Sequence, residues 1–147
     1  MQKGEDNKME IIEICPLCSN VGIKIEEVTL KSMITENMKK EIIPDSEYYI
    51  CSNPNCTVSY FCENNYFTVN DIKVSIWFKD SGLDVPICYC SNLTRGEIIN
   101  AVKNGCKTID EVQEYTGKNI TGKCVIKNPL GKCCRNVFLK TIEQGKL

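Results

Sequence analysis

The 147-residue sequence contains no histidine. This absence excludes the imidazole ligands of Cys2His2 zinc fingers, Rieske clusters and histidine-metal hydrolases. It also excludes the general base of Ser-His-Asp and Cys-His catalytic centres. Any soft metal ligand in this chain must therefore be a cysteine, and the chain has eleven cysteines.

Three further features are missing. The formal net charge is −1 and no basic stripe runs along the chain, so we expect no nucleic-acid partner. No apolar run approaches the roughly 18 residues of a membrane helix, so we expect no membrane partner. The first residues, MQKGEDNKMEIIEI, include early acids and no apolar core of a signal peptide. We therefore expect a cytoplasmic protein whose reduced cysteines bind metal rather than form disulfides.

The first cysteine group has the spacing of a zinc site. Cys15 and Cys18 are separated by two residues, and Cys51 and Cys56 by four. A CxxC turn places two sulfurs on one edge of a tetrahedron, and a second cysteine pair completes it. The sequence predicts a structural zinc site with four thiolates and no open position for substrate, with iron as the other metal. The alternative is that Cys51 and Cys56 are only small buried residues.

The second group has a different spacing. Cys88 and Cys90 are separated by one residue, and Cys124 and the adjacent Cys133 and Cys134 follow. A single intervening residue is too tight for an ordinary zinc knuckle but can deliver two thiolates to one edge of a cluster. A [2Fe–2S] cluster needs four cysteine sulfurs, two per iron. The spacing predicts such a cluster, and a second zinc site is the alternative.

The two halves of the chain differ in their patterns. The first half predicts strands at 24–30, 47–50, 57–61 and 71–78, with a helix at 31–43. The second half predicts helices that begin with capping boxes at 94–97 and 108–111, and a third helix at 135–144. We expect a polar tail at 1–13, a zinc-binding β-rich domain at 14–80 and a helical domain at 83–147, with the boundary at 79–82.

The second half resembles a known family. The stretch VPICYCSNLTRGEIINAVKNGCKTIDEVQEYTGKNITGKC is similar to the [2Fe–2S] domain of bacterioferritin-associated ferredoxin (BFD). The shared features are the CxC pair, the capped helix and the second helix after a glycine turn. The end departs from that family's pattern, in which two residues separate the last two cysteines. Here a longer loop ends in NPLGKCC, which resembles the N-terminal module of CopZ-type copper chaperones.

The first half agrees with that second resemblance, since CPLC and EYYICSNPNCTVSYF are similar to the zinc-binding part of the same module. The resemblance covers about residues 14–138. It implies an α+β fold, with a small zinc-stapled β-rich lobe followed by a helical BFD-like lobe. It implies zinc at the first quartet, and a [2Fe–2S] cluster whose ligands are Cys88, Cys90, Cys124 and Cys134, with Cys133 as the alternative fourth ligand.

The family also limits what can be expected of copper. Full-length chaperones of this type carry a copper-binding domain with an MxCxxC loop, and these 147 residues contain no such motif. We therefore expect one-electron transfer or redox service linked to copper or iron handling, rather than catalysis. The expected partners are a redox protein and copper-handling proteins. The alternatives are a copper or iron carrier that uses Cys62 or Cys133, and a purely structural zinc protein.

Several other residues carry expectations. Cys106 follows a glycine that ends a helix and is expected to pack in the core. Arg95 begins a helix and is expected to be a solvated arginine, with an interaction with the cluster as the alternative. The lysines that surround the loop of the second group either solubilise it or attract an acidic redox partner. These lysines are Lys118, Lys123, Lys127 and Lys132.

Overall fold

The computed structural model describes residues 13–119 and 121–147. They divide into two compact units, with the division between Val74 and Ser75. The first contains an antiparallel sheet and the second contains most of the helices, so the predicted α+β fold is confirmed. Most of the polar tail predicted at 1–13 lies outside the described residues, and the domain boundary predicted at 79–82 stays a prediction. No helix of the described chain is long and apolar enough to cross a membrane.

The first unit is organised by a four-stranded antiparallel sheet. Its strands follow one another in space in the order of the sequence. Ile23 pairs with Ile50, and Ile50 pairs with Tyr60, which aligns apolar residues across the sheet. The two central strands are buried along their whole length. The strands are β1 (Gly22–Ile25), β2 (Tyr48–Cys51), β3 (Val58–Phe61) and β4 (Tyr66–Thr68).

Two of the first unit's predicted elements differ from the structure. A helix occupies Glu27–Met33 (α1) where a strand was predicted, and a separate 3-10 helix occupies Glu36–Glu41. The two are separated because Ile34 is extended, fully buried and bridged to Ile72. A long-range backbone pairing therefore overrides the helical spacing of the local sequence.

The strand predicted at 71–78 is also wrong. Only Ile72 makes a β-bridge there, and the following residues form bends and turns. Their carbonyl groups are used in another way. The Tyr89 hydroxyl donates a hydrogen bond to the Ser75 carbonyl, and the Arg95 guanidinium donates one to the Trp77 carbonyl. Side-chain donors thus replace the neighbouring strand that the alternating pattern led us to expect.

The second unit begins with a short hairpin and continues with four helices. The capping box at Thr94 is present as predicted, with Thr94 accepting from the Glu97 N–H at 3.2 Å and Glu97 accepting from the Thr94 N–H at 2.9 Å. Thr108 caps the next helix, and Gly117 ends it with a φ of 74°. The elements are β5 (Pro86–Cys88), β6 (Leu93–Thr94), α2 (Arg95–Lys103), α3 (Ile109–Thr116), α4 (Cys124–Lys127) and α5 (Arg135–Gly145).

The core of the second unit includes three cysteines. Cys88, Cys106 and Cys134 pack with buried aliphatic residues and with Phe138. Cys106 therefore packs in the core, as expected, and its thiol donates to the Glu111 carbonyl at 3.5 Å. Cys88 and Cys134, by contrast, bring two candidate ligands into the same apolar cluster.

Arg95 is not a solvated arginine. Its guanidinium donates to the backbone carbonyls of Asp80, Gly82 and Trp77 at 2.7–2.8 Å. Arginine suits this position because its planar group presents several donors in a fixed geometry. The segment that precedes β5 is therefore tied to the first residue of α2.

We predict that Arg95→Lys destabilises the second unit by about 1–3 kcal/mol, because an ammonium group cannot replace all three hydrogen bonds. Urea unfolding followed by the fluorescence of Trp77, the single tryptophan, measures the loss. Lys103→Ala, at the exposed end of the same helix, is the control and should change the free energy of unfolding by less than about 0.5 kcal/mol. Equal effects of the two substitutions would contradict this role for Arg95.

Candidate metal centres

The first cysteine quartet converges on one point. The four sulfur atoms of Cys15, Cys18, Cys51 and Cys56 all lie within 4.8 Å of one another. The Cys15 and Cys56 sulfurs are 3.9 Å apart, and those of Cys18 and Cys51 are 3.5 Å apart. A tetrahedron with zinc–sulfur bonds of 2.3 Å has edges of about 3.8 Å, so the arrangement fits a zinc ion.

Two turns bring these sulfurs together. The Cys15 carbonyl accepts from the Ser19 N–H at 3.0 Å, and Ser19 has a φ of 66°. The Cys56 N–H donates to the Asn53 carbonyl at 3.2 Å, between the end of β2 and the start of β3. The sheet then fixes the distance between the turns, because Gly22 pairs with Cys51.

The thiols of this quartet differ in acidity. Burial raises the pKa of Cys15. Burial also opposes the Cys18 thiolate, but the backbone N–H of Asn20 and the side chain of Asn53 donate to it and lower its pKa to about 6. The lowered pKa favours the thiolate form of Cys18, which is the form that binds a metal, and metal binding would displace the proton of Cys15.

The alternative interpretation, in which Cys51 and Cys56 are only small buried residues, does not explain why their sulfurs converge with those of Cys15 and Cys18. Cys51 is fully buried and packs against the core of the first unit. Its sulfur nevertheless faces that of Cys18, and the Cys56 sulfur faces that of Cys15. Cys62, which is also buried, is not a member of the group.

The second cysteine group is assembled from the hairpin and two helix starts. Cys88 ends β5, and Cys90 follows in the turn, with 3.7 Å between their sulfurs. Cys134 immediately precedes α5, and its thiol donates to the Cys88 sulfur. Cys124 begins α4, and Coulomb interactions with Cys90 and Cys133 help to raise its pKa. All five predicted cysteines thus lie in one region of the second unit.

This group is wider than the first. Within residues 13–119 and 121–147, the first quartet is the only set of three or more potential metal ligands that all lie within 4.8 Å of one another. A single zinc ion requires such close convergence, whereas a [2Fe–2S] cluster takes its ligands as two pairs on two irons. The wider spacing therefore fits the cluster better than a second zinc.

Backbone N–H groups point at three of these sulfurs. The Thr121 N–H donates to the Cys90 sulfur at 3.3 Å. The Ser91 N–H donates to Cys88, and the Cys134 N–H donates to Cys124. Such donors stabilise negative charge on sulfur, and hydrogen bonds to the sulfurs are one of the terms that set the reduction potential of iron–sulfur clusters. Nothing in the cysteine spacing revealed them, because the donors are backbone atoms.

Cys88 and Cys134 shift the pKa of each other in opposite directions. Donation from the Cys134 thiol, followed by hydrogen bonds from Ser91, lowers the pKa of Cys88 to about 5. The same interaction, together with burial, raises the pKa of Cys134. Burial and the neighbouring Cys90 also raise the pKa of Cys124. Iron bound here would displace the protons of Cys134 and Cys124.

The adjacent cysteines are in different environments. Cys134 is 1% exposed and packs in the core beside Cys88, whereas Cys133 is exposed. This difference favours Cys134 as the fourth ligand, and the assignment stays a prediction.

Lys118 holds the loop that carries Cys90. Its ammonium group donates to the Asn92 carbonyl at 2.9 Å and pairs with Glu97 at 2.9 Å. Asn92 adopts a left-handed conformation, with a φ of 59°, in the turn after Cys90. Lys118 therefore stabilises the hairpin, a role that neither of our two sequence expectations included.

Two family models match the chain. A CopZ-type zinc binding domain matches residues 12–73, which contain the whole first quartet. A BFD-like [2Fe-2S] binding domain matches residues 86–126, which contain Cys88, Cys90 and Cys124 but end before the adjacent pair. The predictions of zinc and of a [2Fe–2S] cluster as the cofactors are thereby confirmed.

Similarity to a known protein and to a solved structure agrees with these two family models. The copper chaperone CopZ of Archaeoglobus fulgidus is 31% identical over 120 residues, which are 82% of this chain and 57% of that protein. The chain thus spans a little over half the length of this curated relative. The X-ray structure of the N-terminal domain of that CopZ superposes with a TM-score of 0.73 at 28% identity. The superposition covers 86% of this chain and 95% of that domain.

We predict that Cys134→Ser abolishes or strongly shifts the visible [2Fe–2S] spectrum, while Cys133→Ser leaves it nearly unchanged. The reason is that Cys134 is buried beside Cys88 in the core, whereas Cys133 is exposed. Absorption and circular dichroism of anaerobically purified variants measure the outcome. The reverse result would assign the fourth ligand to Cys133.

We also predict that Thr121→Pro lowers the reduction potential of the cluster. Proline removes the N–H that donates to Cys90, and that donor stabilises the more negative reduced state. A differential of about 1 kcal/mol corresponds to roughly 40 mV for a one-electron couple. Thr121→Val retains the N–H and is the control, and potentiometry that gives equal potentials for both variants would rule out this role.

Proposed function

Because the chain combines a CopZ-like zinc-binding domain with a BFD-like [2Fe-2S]-binding domain, we propose that it is a one-electron transfer protein that serves copper or iron handling in the cytoplasm. The observation that carries the proposal is the second cysteine group. The four cysteines proposed as ligands are buried or half-buried, and backbone N–H groups donate to the sulfurs of three of them. A redox partner protein and copper-handling proteins are the proposed partners.

The zinc site is assigned to Cys15, Cys18, Cys51 and Cys56, with a structural role. Four thiolates close the coordination sphere and leave no position for substrate. The ion would join the chain before β1 to the turn between β2 and β3, so it would connect segments that are distant in sequence. A small sheet gains most from such a connection, because its apolar core is limited.

The cluster is assigned to Cys88, Cys90, Cys124 and Cys134. A bound [2Fe–2S] cluster supplies a site that accepts and releases one electron. The residues of the chain hold the thiolates, provide N–H donors to their charge, and pack the buried side of the site against Phe138 and Leu93. Cys90 and Cys124 are only partly buried, so this side of the site lies near the protein surface.

A copper carrier is the second candidate. It is favoured by the similarity to the copper chaperone CopZ and by the exposed thiol of Cys133. Cys62 is 5% exposed and does not offer an accessible thiol. Competition for Cu(I) between the cluster-loaded protein and a coloured chelator tests this candidate. Tight binding that Cys133→Ser abolishes would favour the carrier over electron transfer.

We predict that protein purified without oxygen contains about one zinc and two irons per chain, since each quartet supplies four thiolates. Elemental analysis and the visible spectrum measure this content. Two zincs and no iron, even after reconstitution with iron and sulfide, would exclude the electron-transfer proposal and support a structural zinc protein.

We predict that Cys18→Ser loses zinc and destabilises the first unit, because the metal free energy contributes directly to folding. The cluster absorption should persist, because its ligands belong to the second unit. Cys62→Ser replaces a buried cysteine outside the quartet and should retain zinc. Loss of both metals in Cys18→Ser would mean that the two sites depend on each other.

A further inference from the structure

The segment that contains two of the four proposed cluster ligands is strongly basic. From Tyr115 to Ile142 the sequence has five lysines and one arginine, with no aspartate or glutamate. The whole chain has a formal net charge of −1, so positive charge is concentrated in this segment. Cys124, Cys133 and Cys134 lie within it.

Most of these charges have no acidic partner among the residues that the structure describes. Lys123, Lys127, Lys132 and Arg135 are exposed, and none of them forms an ion pair with a described residue. Ion pairs are common elsewhere in the described chain, where six lysines lie 2.9–3.3 Å from a glutamate oxygen. These are Lys24, Lys31, Lys39, Lys73, Lys118 and Lys146.

The four cations flank the ligand cysteines directly. Lys123 precedes Cys124, and Lys127 ends the single turn of helix that Cys124 begins. Lys132 and Arg135 lie on either side of the adjacent cysteine pair. Their charges are therefore placed around the proposed cluster by the same short elements that place its sulfurs.

Apolar side chains are exposed between these charges. Val125 is 45% exposed and Ile126 is 41% exposed, both on α4. We define the cluster-side surface as these two residues with Lys123, Lys127, Lys132 and Arg135. An apolar centre with a charged rim is the composition of protein–protein interfaces, and small interfaces of this kind serve transient redox encounters.

We propose that the cluster-side surface is the docking surface for an acidic electron-transfer protein, an inference that rests on the proposed redox function. Complementary charge accelerates the encounter and orients the two proteins, while a small apolar contact allows rapid release. The partner is defined by its chemistry: carboxylates surround its own redox centre.

The same charges have a second interpretation that must be separated from this one. A [2Fe–2S] cluster with four thiolates is anionic, so the surrounding cations could do no more than offset its charge. In that case an approaching molecule would meet little net field. A docking surface must instead present a positive field to solvent, and charged probes of opposite sign measure that difference.

The test is the rate at which reduced protein is oxidised by ferricyanide, a trianion, and by tris(phenanthroline)cobalt(III), a trication. We expect the ferricyanide rate to fall as ionic strength rises and the cobalt rate to increase. Rates that do not depend on ionic strength for either probe would overturn the docking proposal. Absence of a reducible cluster would instead remove the proposed redox function, so the two failures are distinguishable.

Matched charge variants locate the field. The double variant Lys123→Gln/Lys127→Gln should reduce the ferricyanide rate at low ionic strength by about threefold or more. Lys103→Gln/Lys107→Gln removes the same charge at the opposite end of α2 from the Cys88–Cys90 turn and should leave the rate nearly unchanged. Equal effects of the two double variants would mean that only net charge matters, and would overturn the proposal.

A readout without electron transfer completes the test. Hexacyanochromate(III) is a redox-inert paramagnetic trianion, and it should broaden the methyl NMR signals of Val125 and Ile126 more than that of the exposed Val28. Uniform broadening would overturn the proposal. Salt-sensitive binding of duplex DNA that the Lys123→Gln/Lys127→Gln variant abolishes, with ferricyanide rates unchanged, would assign the surface to nucleic acid instead.

Discussion

The fold depends on holding thiolates close together in a chain that has no imidazole. Sulfur anions at 3.5–3.9 Å repel one another unless a metal, a proton or a hydrogen-bond donor offsets their charge. Both units are arranged around this requirement. In the first, two turns and a strand pairing bring four sulfurs to one point. In the second, a hairpin turn and the starts of two helices bring in sulfurs from separate segments.

The two units meet the requirement in different ways. The first converges tightly, and its site is suited to an ion that never changes charge. The second brings its sulfurs together less closely, and backbone N–H groups donate to three of them. N–H groups also donate to sulfurs of the first site, from Val58 to Cys56 at 3.5 Å and from Asn20 to Cys18. The close convergence of the first four sulfurs, and not the presence of donors, therefore distinguishes the two sites.

The sequence predicted the features that local chemistry determines. The spacing of the cysteines predicted the first quartet. The local sequence also predicted the capping box at Thr94 and the helix that begins at Arg135, because each depends on neighbouring residues. The break in the helix at Ile34 could not, since it follows from a bridge to Ile72. Arg95 was misassigned for a similar reason: its three carbonyl acceptors precede it by 13 to 18 positions, and nothing in the local pattern marks them.

The placement of charge extends the contrast between the two sites. In the first unit, lysines such as Lys24 and Lys31 lie beside glutamates, and the nine acidic residues of positions 13–74 outnumber the five lysines. Around the second site the acids are absent from Tyr115 to Ile142, and the cations flank the ligands themselves. Evenly paired surface charges would have been sufficient for solubility. Cations that have no acidic partner among the described residues would act on both a bound cluster and an approaching molecule, so our two proposals place the surface and the redox site in one region of the second unit.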